Sequence, residues 1–398
     1  MTDARTATVR PRATPGDPVG QHAPLGLYVH IPFCASRCDY CDFATWTDRG
    51  ALIDTYVDAC VTDLTRRAET GELHEATTIF FGGGTPSLLA APALIRILDA
   101  IPRVPDAEVT VECNPDSVDP AKLQAYRAAG VNRCSFGVQS LRPHVLAALG
   151  RTHDPHGVTR AVSTARDAGF ERFNLDLIYG AVGESLDDWR ATLDAVLALE
   201  PPHVSAYALT VEPATPLGRR VAAGVTPPPD DDDQAVKYEL ADAALTAAGL
   251  EWYEISNWAQ PGQPCRQHLL YWSQGDYLGI GCAAHGHRDG VRTWNVRTPE
   301  RYCERITAGA TPVGGGEDLD AATRAEEALA LALRTRAGIP VPTAPDAASA
   351  VADLRTAGLL EAGGAGVVLT RRGRLLASDV TVRILAAIEG SRRPVGTR

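Results

Sequence analysis

From Leu27 onward, short β-branched or aromatic runs alternate with segments of helical spacing. That rhythm restricts the chain to a parallel sheet covered by helices. The runs fall near 27–31, 77–81, 108–112, 132–138, 172–179, 203–211 and 251–256. Between two of them, Asp119 and Pro120 open a helix that Gly130 closes, with Leu123 and Tyr126 on its buried face. Another starts at Ser185, where Asp188 completes a capping box, and runs through Trp189, Leu193, Val196 and Leu197. About six such units suffice for an open barrel and are too few for a closed eight-stranded one.

The 398 residues divide into four expected parts. Residues 1–24, rich in Thr, Arg, Ala and Pro, lack apolar periodicity and predict a disordered tail. Residues 25–230 hold the barrel core, ending in a solvated loop over 227–233 that leads into a helix over 234–249. Residues 231–317 extend the barrel. Residues 318–392 combine a helix over 321–336, a second near 346–357 and a hairpin followed by Gly373, the pattern of a winged-helix module. Nucleic-acid binding is the usual role of such a module; here packing or closing over the barrel is expected instead. A net charge of −11 argues against a nucleic-acid groove and against docking to anionic lipid. Nine cysteines without paired spacing fit a reducing compartment. No apolar run approaches the roughly 18 residues of a membrane span, and no apolar signal core is seen, so a cytoplasmic protein is expected.

Cys34, Cys38 and Cys41 lie in LYVHIPFCASRCDYCDF with C-x-x-x-C-x-x-C spacing. A closed zinc site wants four protein ligands, commonly two C-x-x-C pairs. An iron–sulfur cube held by three thiolates keeps one iron free for another ligand. A zinc site borrowing a distant ligand and unlinked core thiols are the plainer alternatives. Further polar groups fall at the ends of successive strands, where barrel ligands gather. They are the run Gly82, Gly83, Gly84, Thr85 and Pro86, then Glu112, Gln139 and Asp176, with Arg151 just after the Gln139 strand. Each alone reads as a strand-end hydrogen bonder; behind a three-thiol loop they form a ring. No Gly-Lys-Ser/Thr follows the glycines, which excludes a P-loop.

This stretch resembles the radical S-adenosylmethionine (SAM) superfamily, and YVHIPFC is similar to its oxygen-independent coproporphyrinogen III oxidase-like family. The resemblance implies an α/β fold, a partial (β/α)6 TIM-like radical SAM barrel with a C-terminal winged-helix-like domain. It implies that Cys34, Cys38 and Cys41 hold a [4Fe-4S] cluster whose fourth iron takes SAM. Tyr28 and Tyr40 match positions lining cluster and cofactor, and Gly83, Gly84 and Thr85 match the SAM platform. Glu112, Gln139, Arg151 and Asp176 match its further polar contacts. The implied chemistry is reductive cleavage of SAM to methionine and a 5′-deoxyadenosyl radical.

Oxidases of this family carry another cysteine two residues past the third, where this chain has Phe43, and a longer N-terminal region. CDF instead resembles the family's haem chaperone branch, whose members bind haem and SAM. That branch implies haem, a haem-acceptor protein (a respiratory haem enzyme is one candidate) and an electron donor for the cluster. It leaves monomer and homodimer both open. The alternative is the oxidase itself, decarboxylating coproporphyrinogen III to protoporphyrinogen IX, and no catalytic residue is assigned. The branch pattern H-N-x-x-Y-W meets Gln267-His268-Leu269-Leu270-Tyr271-Trp272, with the histidine displaced by one and the asparagine missing. Cys265, His268 and Tyr271 are the candidate haem ligands, with His285 and His287 as alternates. A loop histidine bonded to a backbone carbonyl is the plainer role for His268. Cys60, Cys113, Cys134 and Cys303 are expected as small core residues.

Overall fold

A computed structural model describes residues 24–151 and 154–392. The tail expected over 1–24 lies, except for Pro24, outside the described residues. Six strands run parallel and in chain order: β1 (Leu25–Ile31), β2 (Ala76–Gly83), β3 (Arg103–Cys113), β4 (Arg133–Gln139), β5 (Phe173–Tyr179) and β6 (His203–Ala208). Beyond β6, β7 (Glu251–Glu254) and β8 (Asn257–Ala259) join antiparallel, in the order β6-β8-β7. Beyond β1, β9 (Asp276–Ile280) pairs parallel with it. The antiparallel strands β10 (His285–Arg288), β11 (Val291–Asn295) and β12 (Val313–Asp318) follow. This is the open (β/α)6 barrel the sequence implies, prolonged at both edges.

The barrel is apolar outside and polar inside. On β1, Leu25, Leu27, Val29 and Ile31 are buried beneath the helical layer, each burial worth roughly 1.5–3 kcal/mol. The opposite face carries Gly26, Tyr28 and His30 into the lumen. Parallel register stacks inward residues side by side: Tyr28 on Phe80, His30 on Gly82, Thr110 on Arg133, Gly137 on Asp176 and Asp176 on Ser205.

Local signals place the helices. Asp119 accepts from the Lys122 amide, and Ser185 and Asp188 form the expected capping box. The acidic run does not stay in a loop as expected: the helix Asp231–Ala247 starts inside it, capped by Asp230. Acidic residues in a first turn favour the helix dipole, so Asp231, Asp232 and Asp233 are helical rather than solvated coil. The run expected to reach 211 ends as a strand at Ala208.

Helices Ala321–Leu333 and Pro345–Thr356, a hairpin of β13 (Leu360–Gly363) and β14 (Gly366–Leu369), and helices Arg371–Leu375 and Ala377–Arg392 close the described chain. They enclose a separate apolar cluster that includes Leu333, Ile339, Val351, Leu354, Leu360, Val367 and Ile384. This module is fastened to the barrel by a buried charge cluster. Arg374 donates to Asp242 at 2.8 Å, Arg371 pairs with the same carboxylate, and Trp258 Nε1 donates to it at 2.9 Å. Arg374 also lies 4.6 Å from the centre of the Trp252 ring. Burial works against the Asp242 charge, but Arg374, Trp258 and Arg371 hold its pKa below the usual carboxylate range. Two of the module's basic residues are thereby paired with one carboxylate, Arg374 buried and Arg371 at the surface. No helix among the described residues is long and apolar enough to cross a membrane. Asp242→Ala strands Arg374 as a buried unpaired cation and is expected to lower unfolding stability by about 3 kcal/mol. Urea denaturation checks this, with Arg219→Ala on the exposed face of the helix Pro216–Ala222 as control.

Candidate functional site

At the carboxyl end of β1 the chain leaves the sheet in a loop clipped at its base. The Cys34 N–H donates to Trp46 O at 3.0 Å, and the Trp46 N–H to Pro32 O at 2.8 Å. Within the clip Cys34, Cys38 and Cys41 are half-buried and free of disulfides. His30, which the sequence did not single out, braces the loop from below. Its Nε2 donates to Ala44 O at 2.9 Å and its Nδ1 accepts from the Tyr28 hydroxyl at 3.1 Å. Burial lowers the His30 pKa to about 4, so the ring is neutral and this tautomer is fixed. Burial also raises the Cys34 and Cys41 thiols, and Cys38 beside them raises both further. Thr85 Oγ1 donates to Cys34 Sγ at 3.7 Å and Arg151 Nη1 to Cys38 Sγ at 3.4 Å. Among the described residues, no group of three or more His, Cys, Asp or Glu is arranged to hold a single metal ion. A multi-iron cluster takes one thiolate per iron, which suits three thiols close enough to act on one another electrostatically.

The glycine run docks along this loop. Gly84 N–H donates to Ile31 O and Thr85 N–H to Phe33 O, each at 2.8 Å. A Cβ on Gly84 would stand 2.7 Å from both the Ile31 and Phe33 oxygens, and Gly83 has a φ of +107°. Both positions therefore require glycine. The Gly83 N–H donates to Glu112 Oε2 at 3.2 Å. Burial, and then the nearby Asp176, push Glu112 up to about 8. Asp176 accepts from Ser135 Oγ at 2.8 Å and from Asn174 Nδ2 at 2.7 Å, and burial raises its pKa too. It does not lie at a strand end as expected. β5 continues three residues further, to Tyr179, so the inward Asp176 sits deeper in the lumen.

Gln139 ends β4 with a φ of +63°, a strained conformation for a residue other than glycine. Its Oε1 is buried without a partner, as is Arg151 Nε, while Arg151 Nη2 donates to Gly137 O at 2.6 Å. Tyr40, within the cysteine loop, packs against the apolar cluster that includes Val145, Leu149 and Ile178, and burial raises its pKa. Tyr207 remains 37% exposed though set on an inward position of β6, facing open space inside the barrel. Orphaned polar atoms, a glycine-lined edge and two buried carboxyls together fit a compact ligand that brings positive charge and hydrogen-bonding groups.

The helix Arg266–Trp272 closes the other end of the barrel. Glu108 Oε1 accepts from the Arg266 amide at 2.7 Å and Oε2 from Arg172 at 3.0 Å. The helix crosses β1 at Gly26, where a Cβ would lie 2.4 Å from Leu270. The three candidate haem ligands have different surroundings here. Cys265 is 1% exposed, its Sγ 3.5 Å from Glu108 Oε1, and burial pushes the thiol up to about 12. It is sealed into the helix start. Tyr271 meets Tyr277 edge to face, ring centres 4.7 Å apart. His268 is on a helix rather than a loop and reaches the Tyr253 hydroxyl, not a backbone carbonyl, at 3.4 Å. Its ring lies 5.9 Å from Phe80, and Glu112, Asp176 and Glu254 act on it electrostatically. Of the alternates, the His285 ring lies tilted against Trp294 and His287 Nδ1 bonds to Gly275 O at 3.2 Å. Cys60, Cys113, Cys134 and Cys303 are buried in the core.

Two family models match the chain: the radical SAM superfamily over residues 28–196 and the HemN C-terminal domain over 319–376. A heme chaperone HemW of Mycobacterium tuberculosis is 45% identical over 371 residues, covering 91% of this chain and 95% of that protein. The HemW of Escherichia coli is 43% identical over 293 residues, 71% of this chain and 76% of its own length. That of Bacillus subtilis is 34% identical over 368 residues, 89% and 97%. Among solved structures, coproporphyrinogen III oxidase (HemN) from Escherichia coli, a radical SAM enzyme, matches with a TM-score of 0.79. At 23% identity over 91% of this chain and 90% of that one, the likeness is one of fold.

The raised Glu112 pKa has a measurable sign. Its folded value, about 8, lies above the ordinary 4.5, so its contribution to stability is full below pH 4.5 and is lost as pH rises through 8. Glu112→Gln keeps an acceptor for the Gly83 amide and removes the titration. At pH 5 the variant should melt with wild type; at pH 8.5 it should melt a few degrees higher, about 1–2 kcal/mol. Differential scanning calorimetry at the two pH values checks the difference.

Proposed function

The chain belongs to the HemW family of the radical SAM superfamily, and from that membership we propose that it is a haem chaperone. It binds a [4Fe-4S] cluster, SAM and haem, and passes the haem to an acceptor protein. Cys34, Cys38 and Cys41 would hold the cluster. Thr85 and Arg151, already bonded to two of the sulfurs, would keep donating to them once they are thiolates. Gly83, Gly84 and Thr85 would edge the SAM site, Tyr28 and Tyr40 would bound it, and Glu112, Gln139, Arg151 and Asp176 would meet its polar groups. A sulfonium beside Glu112 and Asp176 favours their ionised forms and offsets the burial that raises both pKa values. The chemistry that cluster and SAM supply when bound is one-electron reduction of that sulfonium. Around it the chain's own tasks are to orient, through Gln139 and Arg151, and to exclude water beneath the clipped loop.

One observation carries the choice of chaperone over oxidase. Phe43, where the oxidases have a further cysteine, is 60% exposed on the cysteine loop and supplies no thiol. The relatives named heme chaperones support the same reading. We further propose a cytoplasmic setting, consistent with nine free cysteines, a protein electron donor for the cluster, a respiratory haem enzyme as acceptor, and association as a homodimer.

Anaerobic reconstitution followed by haem titration and a coproporphyrinogen III assay tests this function. The expected result is a saturable haem spectrum with no protoporphyrinogen formed above a Cys38→Ala control. Decarboxylation well above that control would overturn the chaperone reading. The Cys38→Ala protein should also lose the cluster's visible absorption; a full cluster spectrum would remove Cys38 from the ligand set.

A further inference from the structure

The floor of the barrel contains a hydrogen-bond chain whose direction can be worked out atom by atom. Ser135 Oγ gives its hydrogen to Asp176 Oδ2 at 2.8 Å, and Ser205 Oγ gives its own to Asn257 Oδ1 at 2.7 Å. Asn174 contacts both hydroxyls, at 2.8 and 2.9 Å. With their hydrogens committed elsewhere, these hydroxyls can only accept from it. The Asn174 NH2 therefore faces them and Asp176, and Oδ1 faces His203 Nδ1 at 2.5 Å. A carbonyl oxygen there requires His203 Nδ1 to carry a hydrogen. His203 is fully buried, touches no carboxylate and has its pKa lowered by burial, so it is neutral and Nε2 bears a lone pair. The Tyr253 hydroxyl, 2.8 Å away, donates to that lone pair. With its hydrogen so used, Tyr253 oxygen accepts from the Cys265 amide and from His268 Nδ1, each at 3.4 Å. His268 Nδ1 is thus the protonated nitrogen, and Nε2 is left as a bare lone pair. It makes no hydrogen bond among the described residues and belongs to a ring 5.9 Å from Phe80 that acts electrostatically on Glu112 and Asp176.

We infer that Asn174, His203 and Tyr253 are positioning residues that hold His268 in its Nδ1–H tautomer, which would leave Nε2 as the nitrogen able to ligate a metalloporphyrin iron. A histidine that ligates a metal characteristically donates its other ring N–H to a fixed acceptor, and Tyr253 is that acceptor here. The charged groups around the ring are Glu112, Asp176, Glu254 and Glu108 on one side and Arg133 on the other. Gln267, at the position of the pattern's histidine, is buried against Gly26 and accepts from Thr78 Oγ1, whereas His268, one residue on, reaches Tyr253. The ligand role rests on the haem reading; the tautomer does not.

Two measurements keep these separable. In metal-free protein, 15N-detected imidazole spectra should show His268 as the Nδ1–H tautomer, and Tyr253→Phe should shift it toward the Nε2–H form common in water. An Nε2–H form in wild type, or no change in Tyr253→Phe, would overturn the relay. In ferric haem titrations, wild type should give an imidazole-ligated spectrum. His268→Gly should lose it and regain it with added imidazole, and Tyr253→Phe should bind haem several-fold more weakly. An unchanged haem spectrum in His268→Gly would overturn the ligation. Absence of any haem binding by wild type would overturn the haem reading itself, with the tautomer result unaffected. Matching melting curves for Tyr253→Phe and wild type guard against a folding defect.

Discussion

Parallel pairing of β1 with β2 is the constraint on which the rest of the molecule depends. Tyr28 faces Phe80 and His30 faces Gly82, and this register fixes which alternate residues of every later strand enter the lumen. A slip of one residue would turn Leu27 and Val29 inward and expose Tyr28 and His30 to the helices. Burial of the outer apolar face opposes that slip with several large side chains per strand. The polar interior is thus a consequence of the apolar exterior. Both ends of the barrel then have distinct closures: a clipped thiol loop above and a short helix capped by Glu108 below.

Those closures give the two ends opposite electrical tasks. Above and within the lumen, Glu112 and Asp176 are carboxyls held away from their ordinary ionisation, ready to favour an incoming cation. At the floor, Glu108 is bonded to Arg172 and two helix amides, which anchors the helix bearing His268. Nearly every polar group between these layers has a partner inside the barrel. Among the exceptions, Gln139 Oε1 and Arg151 Nε stand where the family's SAM contacts are expected.

Much of this was legible in the sequence because it is local. The capping pairs, the strand–helix rhythm, the cysteine spacing and the glycine run are each written within a few residues, and each reappears in place. What escaped depends on contacts between distant segments. Nothing in YVHIPFC says that His30 will hold Ala44 through one nitrogen and Tyr28 through the other. The depth of Asp176 depends on how far β5 runs, and the setting of His268 on a helix crossing under β1 at Gly26. The edge strands β9 to β12 are short and mixed in polarity, VGGGED being one of them, so alternation does not mark them.

Neighbouring residues of β7 serve different masters. Trp252 carries the guanidinium of Arg374 on its ring, while Tyr253 sends its hydroxyl under the barrel to His203 and His268. Arg336, from the connection into the C-terminal module, bonds through its amide to Tyr253 O at 2.9 Å. A single four-residue ribbon thus joins the interior histidine to the appended helices without intervening slack. Whatever tugs on that outer module also pulls the tether of the deepest imidazole.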